Sequence, residues 1–157
     1  ARGGGGGGGG GLRGRGELGV RRPSEGDPRA GCGVVGELPE PLPTVEFLRR
    51  MQQRLGVKVV RHSDLVSEQV RRIALCTGAG ASLMADARRA GADLYVTADL
   101  KYNDFMFPDG EFVVADIGHF ESEYCAIELL FEVLSKNLIT FAVRKSGCSR
   151  NPVNYFV

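Results

Sequence analysis

The chain has 157 residues, 43% of them hydrophobic, and a formal net charge of +1. That length suits one ordinary domain with a core of its own, and the near-neutral balance offers no electrostatic case for a nucleic-acid binder. No apolar run approaches the roughly 20 residues that cross a bilayer, and no apolar segment near the N-terminus has the form of a secretory signal, so a cytoplasmic protein is expected.

Residues 1–30 carry an unbroken glycine run, Gly3 to Gly11, and six arginines against Glu17, Glu25 and Asp27, which leaves the remainder of the chain near −2. Such a stretch buries too little apolar surface to offset the entropy of ordering it and is expected to be a disordered Gly/Arg-rich leader. Order is expected to begin in residues 31–43, where prolines favour an extended path. Thr44 reads as the N-cap of a helix whose stripe is Phe47, Leu48, Met51 and Leu55 and whose stop is Gly56. Val57–Arg61 and Arg72–Cys76 read as strands.

Thr77-Gly-Ala-Gly-Ala-Ser-Leu83 follows and leads into a helix that ends at Gly91. Gly78 and Gly80 suit a tight strand-to-helix turn. The other reading, a phosphate cradle, lacks the third glycine of the dinucleotide fingerprint and a Walker lysine. The strand Asp93–Thr97 precedes a short helix in Ala98–Phe107, and Pro108-Asp-Gly110 makes a turn into the strand Glu111–Ile117. From Ser122, the residues Tyr124, Ile127, Leu130, Phe131 and Leu134 recur at helical spacing, and Leu138–Val143 reads as a last strand. The alternation predicts a layered α/β fold with a largely parallel sheet flanked by helices. Ligands of such sheets sit beyond the carboxyl ends of the strands. The loops Thr77–Gly80, Thr97–Asp99 and Asp116–His119 are therefore expected on one rim.

Four cysteines are present, without a Cys-x-x-Cys pair, and Cys76 and Cys125 fall on faces expected to be buried as reduced thiols. In Asp116-Ile-Gly-His-Phe-Glu-Ser-Glu123 the glycine lets the chain turn, and His119 and Glu123 stand four apart. An imidazole and a carboxylate on one helical face suit a divalent ion with mixed donors, although two are fewer than such ions usually take from a protein. Spacing alone favours a structural pair or cap over a ligand pair. Asp99 and Asp116 are candidates to orient these ligands, and His62 is expected in a loop without a metal.

Three blocks, Asp93-Leu-Tyr-Val-Thr-Ala-Asp-Leu-Lys-Tyr-Asn-Asp104, Asp116–Glu123 and Asn151-Pro-Val-Asn-Tyr-Phe156, together resemble the C-terminal half of the family named for the NGG-interacting factor. Its bacterial members include GTP cyclohydrolase I type 2 homologues. Gly36-Glu-Leu-Pro-Glu-Pro41 and Ile73-Ala-Leu-Cys-Thr-Gly-Ala-Gly80 are similar to the longer bacterial branch with an inserted domain. The resemblance covers residues 31–157 and implies the second half of a two-part α/β core, with 31–43 a remnant of the connection from the insert. It also implies a two-metal hydrolase-like site of Zn, Mn or Fe between the halves, with His119 and Glu123 as this half's ligands, in a homo-oligomer. The family's adjacent histidine pair is missing here, so at most one ion is expected, weakly held, and the chain is expected to be inactive alone. No catalytic residue is assigned, no substrate is legible, and a non-catalytic binding or assembly module is the other reading.

Overall fold

The computed structural model describes residues 17–18 and 31–156. The elements in chain order are β1 (Glu17–Leu18), β2 (Gly33–Pro43), α1 (Thr44–Leu55), β3 (Arg61–His62), β4 (Gln69–Ala79), α2 (Met84–Arg89), β5 (Leu94–Ala98), β6 (Val113–Asp116), α3 (His119–Glu123) and α4 (Cys125–Asn137). Short 3-10 turns at Ala81–Leu83 and Tyr102–Met106 complete them. Most of the expected leader lies outside the described residues; within it, β1 pairs with the start of β2.

One sheet in the order β1-β2-β4-β5-β6-β3 organises the chain. Its centre is parallel, β4 to β5 to β6, while β2 runs antiparallel to β4 and β3 antiparallel to β6. The layered α/β architecture is the one expected, with the parallel part confined to the three middle strands. All of β5 and all of β6 are buried, as parallel strands covered on both faces must be. The alternation of side chains then sorts the core into two clusters. Leu94, Val96, Val113 and Ala115 face α1 with its Leu48 and Met51, while Tyr95 and Val114 face α2 with Met84 and Ala87.

Several local expectations hold. Gly56 and Gly91 adopt left-handed conformations that end α1 and α2, and the Pro108–Gly110 turn carries positive φ at Asp109 and Gly110. Others need correction. Thr44 is the first residue of α1 rather than its cap, because its hydroxyl is directed to the Ser67 carbonyl at 2.5 Å while Pro43 occupies the cap position. The strand expected at Val57–Arg61 shrinks to Arg61–His62, so His62 lies in a strand rather than a loop. Val57 instead closes the end of α1, its N–H donating to the Gln52 carbonyl at 3.0 Å and its side chain buried beside Met51. The helix expected within Ala98–Phe107 is only the turn Tyr102–Met106, since Asp99 takes φ +56° and breaks the helical path.

The long helix begins at His119 and is divided at Tyr124, where the Ile127 N–H bonds to the Tyr124 carbonyl three residues back. Leu138–Val143 forms no strand, and Ile139 and Phe141 are exposed. No residue of α4 is buried, and Leu129, Leu130 and Val133 are all exposed. Cys125 is exposed for the same reason, contrary to expectation, whereas Cys76 is partly buried; all four cysteines are free. Among the described residues no helix is long and apolar enough to cross a membrane.

This distribution predicts unequal costs of truncation. Leu94→Ala, at a fully buried site in the middle strand, should destabilise by about 2–5 kcal/mol. Leu129→Ala on the bare face of α4 should stay within about 0.5 kcal/mol. Urea unfolding of both variants measures the difference.

Candidate functional site

Three parallel strands deliver their carboxyl ends to one rim, and hydrogen bonds tie the loops that leave them. Thr97 Oγ1 donates to the Gly78 carbonyl at 3.1 Å, the Ile117 N–H to the Thr97 carbonyl at 3.0 Å, and the Gly78 N–H to Ser122 Oγ at 2.9 Å. The convergence expected of Thr77–Gly80, Thr97–Asp99 and Asp116–His119 is therefore found.

The glycine stretch is not a separate loop. β4 runs through Thr77 to Ala79 with a bulge, its pairing to β5 passing from Leu75 opposite Val96 to Ala79 opposite Ala98. Gly78 absorbs the bulge at φ +62°, and a Cβ there would lie 2.5 Å from Glu123 Oε1 and 3.3 Å from His119 Cε1. Gly78 is thus the floor under this pair. Its N–H is already engaged by Ser122, which removes it as a donor to a phosphate.

His119 and Glu123 occupy the first and last positions of α3, and their side chains meet, Nε2 to Oε2, at 3.3 Å. On the other side of the ring His119 Nδ1 contacts Asp99 Oδ2 at 2.6 Å. All three side chains are half-exposed. Asp99 is a non-glycine residue at φ +56°, and such strain persists where surrounding contacts hold it. The hydrogen bond to Asp99, followed by the negative charges of Asp99 and Glu123, pushes the His119 imidazole above its ordinary value.

Of the two acids expected to orient His119 and Glu123, Asp99 touches His119 and Asp116 touches neither. Asp116 is buried at the end of β6. It pairs with Arg61 and accepts the Leu100 and Gly118 N–H groups, each at 2.9 Å. It therefore sets the loops that carry Asp99 and His119 rather than their side chains. His62 is exposed on β3, with Nδ1 2.7 Å from its neighbour's carbonyl at Ser63, and lies outside this cluster.

Sequence patterns do not single out Ser122, buried beneath Gly78, or the contact between Glu121 and Asn151 at 2.8 Å. A serine in the first turn of a helix carries no distinctive signal, and residues 30 apart share no periodicity. A cavity of about 710 Å³ opens over the cluster, walled by Phe120, Tyr124, Asn151 and Tyr155 among others. Among the described residues no three His, Cys, Asp or Glu side chains are grouped so as to hold an ion.

A histidine clasped between two carboxylates at the carboxyl rim of parallel strands places the chain among the α/β proteins whose ligand crevice lies at that rim. Residues 12–152 match the model of the Duf34/NIF3 (NGG1p interacting factor 3) family, and the chain belongs to that family. Among curated relatives, a protein of Clostridium perfringens named GTP cyclohydrolase 1 type 2 homolog is 32% identical over 125 residues, which are 77% of this chain and 48% of that one. Among solved structures, Staphylococcus aureus protein SA1388 matches with a TM-score of 0.73 at 26% identity, over 82% of this chain and 38% of that one. A Bacillus cereus protein related to NIF3 matches with a TM-score of 0.67 at 25% identity, over 80% and 36%. The chain thus spans about half, or less, of the length of these proteins.

The ion-pair geometry fixes the sign of a titration. Both carboxylates favour the imidazolium, so in metal-free protein His119 should keep its proton above the usual value of 6.5. The stabilisation this lends is present below the unfolded-state value and is lost as pH rises through the folded one. Asp99→Asn keeps an acceptor but removes the charge, and should move the midpoint down when the ring is followed by NMR.

Proposed function

We propose that this chain supplies one half of a divalent-metal centre, with His119 Nε2 and Glu123 Oε2 as donors, in a hydrolase-like protein of the kind named GTP cyclohydrolase 1 type 2 homolog. One observation carries the reading. The two donor atoms stand 3.3 Å apart, and a tetrahedral ion with bonds of about 2.0–2.2 Å holds neighbouring donors roughly 3.3–3.6 Å apart. A second feature fits as well. Asp99 engages Nδ1, the position a carboxylate commonly takes behind a metal-bound histidine, which leaves Nε2 as the free donor in the neutral ring.

Zn, Mn or Fe would suit this donor pair. When bound, such ions supply Lewis-acid polarisation of a substrate oxygen and a lowered water pKa. The chain's own residues prepare the place. Gly78 leaves room for the pair, Ser122 and Thr97 lock Gly78, and the cavity opens directly over the donors. With two donors against the three or more usual from a protein, the chain holds at most one ion weakly and does not turn over alone. The remaining donors come from the part of the longer relatives that this chain does not span, within a homo-oligomer. Its setting is the cytoplasm, where free thiols stay reduced.

Calorimetric titration of the 157-residue chain with Zn²⁺ should show weak uptake of one ion, lost in His119→Ala and in Glu123→Ala. Neither GTP ring opening nor phosphoester hydrolysis should appear with Zn²⁺ or Mn²⁺. Turnover that depends on His119 would overturn the expected inactivity, and uptake unchanged in both variants would overturn the site.

The exposed face of α4 favours a second reading, a non-catalytic assembly module, because Leu129, Leu130 and Val133 present apolar surface that no described residue covers. Metal uptake read beside light scattering distinguishes the two. A chelator-resistant oligomer that takes up no Zn²⁺ and is dispersed by Leu130→Asp supports the module; Zn²⁺ uptake that is lost in Glu123→Ala, in whatever oligomeric state, supports the metal site.

A further inference from the structure

His119 is the first residue of α3 and is launched from Gly118, whose φ of +88° only glycine adopts readily. The Glu121 carboxylate folds back over this glycine so closely that a Cβ on Gly118 would lie 2.9 Å from Glu121 Cδ. The hydrogen bond that anchors Glu121 comes from outside α3: Oε1 accepts from Asn151 Nδ2 at 2.8 Å. Asn151 is itself held from behind, because its Oδ1 accepts the Val153 N–H at 2.9 Å. Both ends of this amide are committed, so its donor edge has a fixed direction. Tyr155, four residues on, lines the same cavity as His119 and Glu123.

We infer that Asn151 is a positioning residue for His119, acting through Glu121: the amide holds the Glu121 carboxylate over Gly118 and so fixes the turn from which the imidazole projects. The inference rests on the reading of His119 as a metal ligand only for its consequence in metal uptake; its effect on the ring is independent of any ion. An imidazole turning about its two side-chain bonds keeps its aim only if the backbone beneath it is fixed. Asp116 fixes that backbone from the strand side through the Gly118 N–H, and Glu121 with Asn151 does so from the solvent side.

The test uses the whole chain and two readouts. Asn151→Ala and Glu121→Ala should each weaken Zn²⁺ binding about tenfold, the lower end of what losing an orienting partner costs, and the double variant should be no weaker than either. Glu121→Gln keeps an acceptor for the amide and should stay close to wild type. In metal-free protein, the His119 side-chain rotamer couplings and ring correlations should average in both alanine variants and not in Glu121→Gln, with thermal unfolding temperatures unchanged. If wild type binds Zn²⁺ and Asn151→Ala binds it equally with the same ring rotamer, the inference is overturned. If wild type does not bind Zn²⁺ but Asn151→Ala releases the ring, the metal reading falls and the positioning role stands. No binding together with an unmoved ring removes both.

Discussion

The site depends on one buried carboxylate. Asp116 ends β6 inside the protein, where an isolated negative charge would be very costly unless paired and hydrogen-bonded. It is answered from three directions: the Arg61 guanidinium on β3, the Leu100 N–H after β5 and the Gly118 N–H before α3. Arg61 in turn donates to the Leu100 carbonyl at 2.9 Å. Leu100 follows Asp99 and Gly118 precedes His119. The carboxylate that satisfies its own charge therefore also sets the separation of the two residues whose side chains meet at the rim. A group that touches neither Nε2 nor Glu123 decides where both loops stand.

Around that anchor the geometry is made by leaving things out. Gly78 has no side chain where Glu123 and His119 press down, and Gly80 has none where Cys76 Cβ would lie 3.0 Å away. The bulge in β4 lowers the strand end, and Thr97, Ser122 and Tyr95 satisfy the backbone groups it frees; Tyr95 donates to the Gly80 carbonyl at 2.8 Å. Burial pushes the Tyr95 hydroxyl far above its ordinary value, so it remains a donor throughout the physiological range. Small residues clear the space, and hydroxyls repair the hydrogen bonding.

How much of this was legible follows from the range of each interaction. The strands at residues 94–98 and 113–116 announce themselves because burial on both faces demands an unbroken apolar run. Gly118 and the spacing of His119 from Glu123 are local, and the family blocks around them made the pair a candidate. Val57–Arg61 has the composition of a strand, yet Val57 is claimed by the end of α1, a choice made by tertiary packing. Leu138–Val143 is expected as a strand and Cys125 on a buried face because both stretches are apolar, and apolar composition does not say whether a partner strand or a covering surface is present. The Glu121–Asn151 bond joins residues separated by an entire helix and its return, where neither propensity nor period reaches.

That bond also closes a ring. From Glu121 the chain runs out along α4, turns, and comes back to Asn151, with Lys145 gripping Glu128 at 2.7 Å and lying over the Phe131 ring on the way. The 13 residues of α4 reach about 20 Å at roughly 1.5 Å each, and the chain that follows them returns Asn151 and Tyr155 to the wall of the cavity that holds His119. One side of the site is thus built by the segment that comes back from α4, and not by the strands whose ends carry the donors.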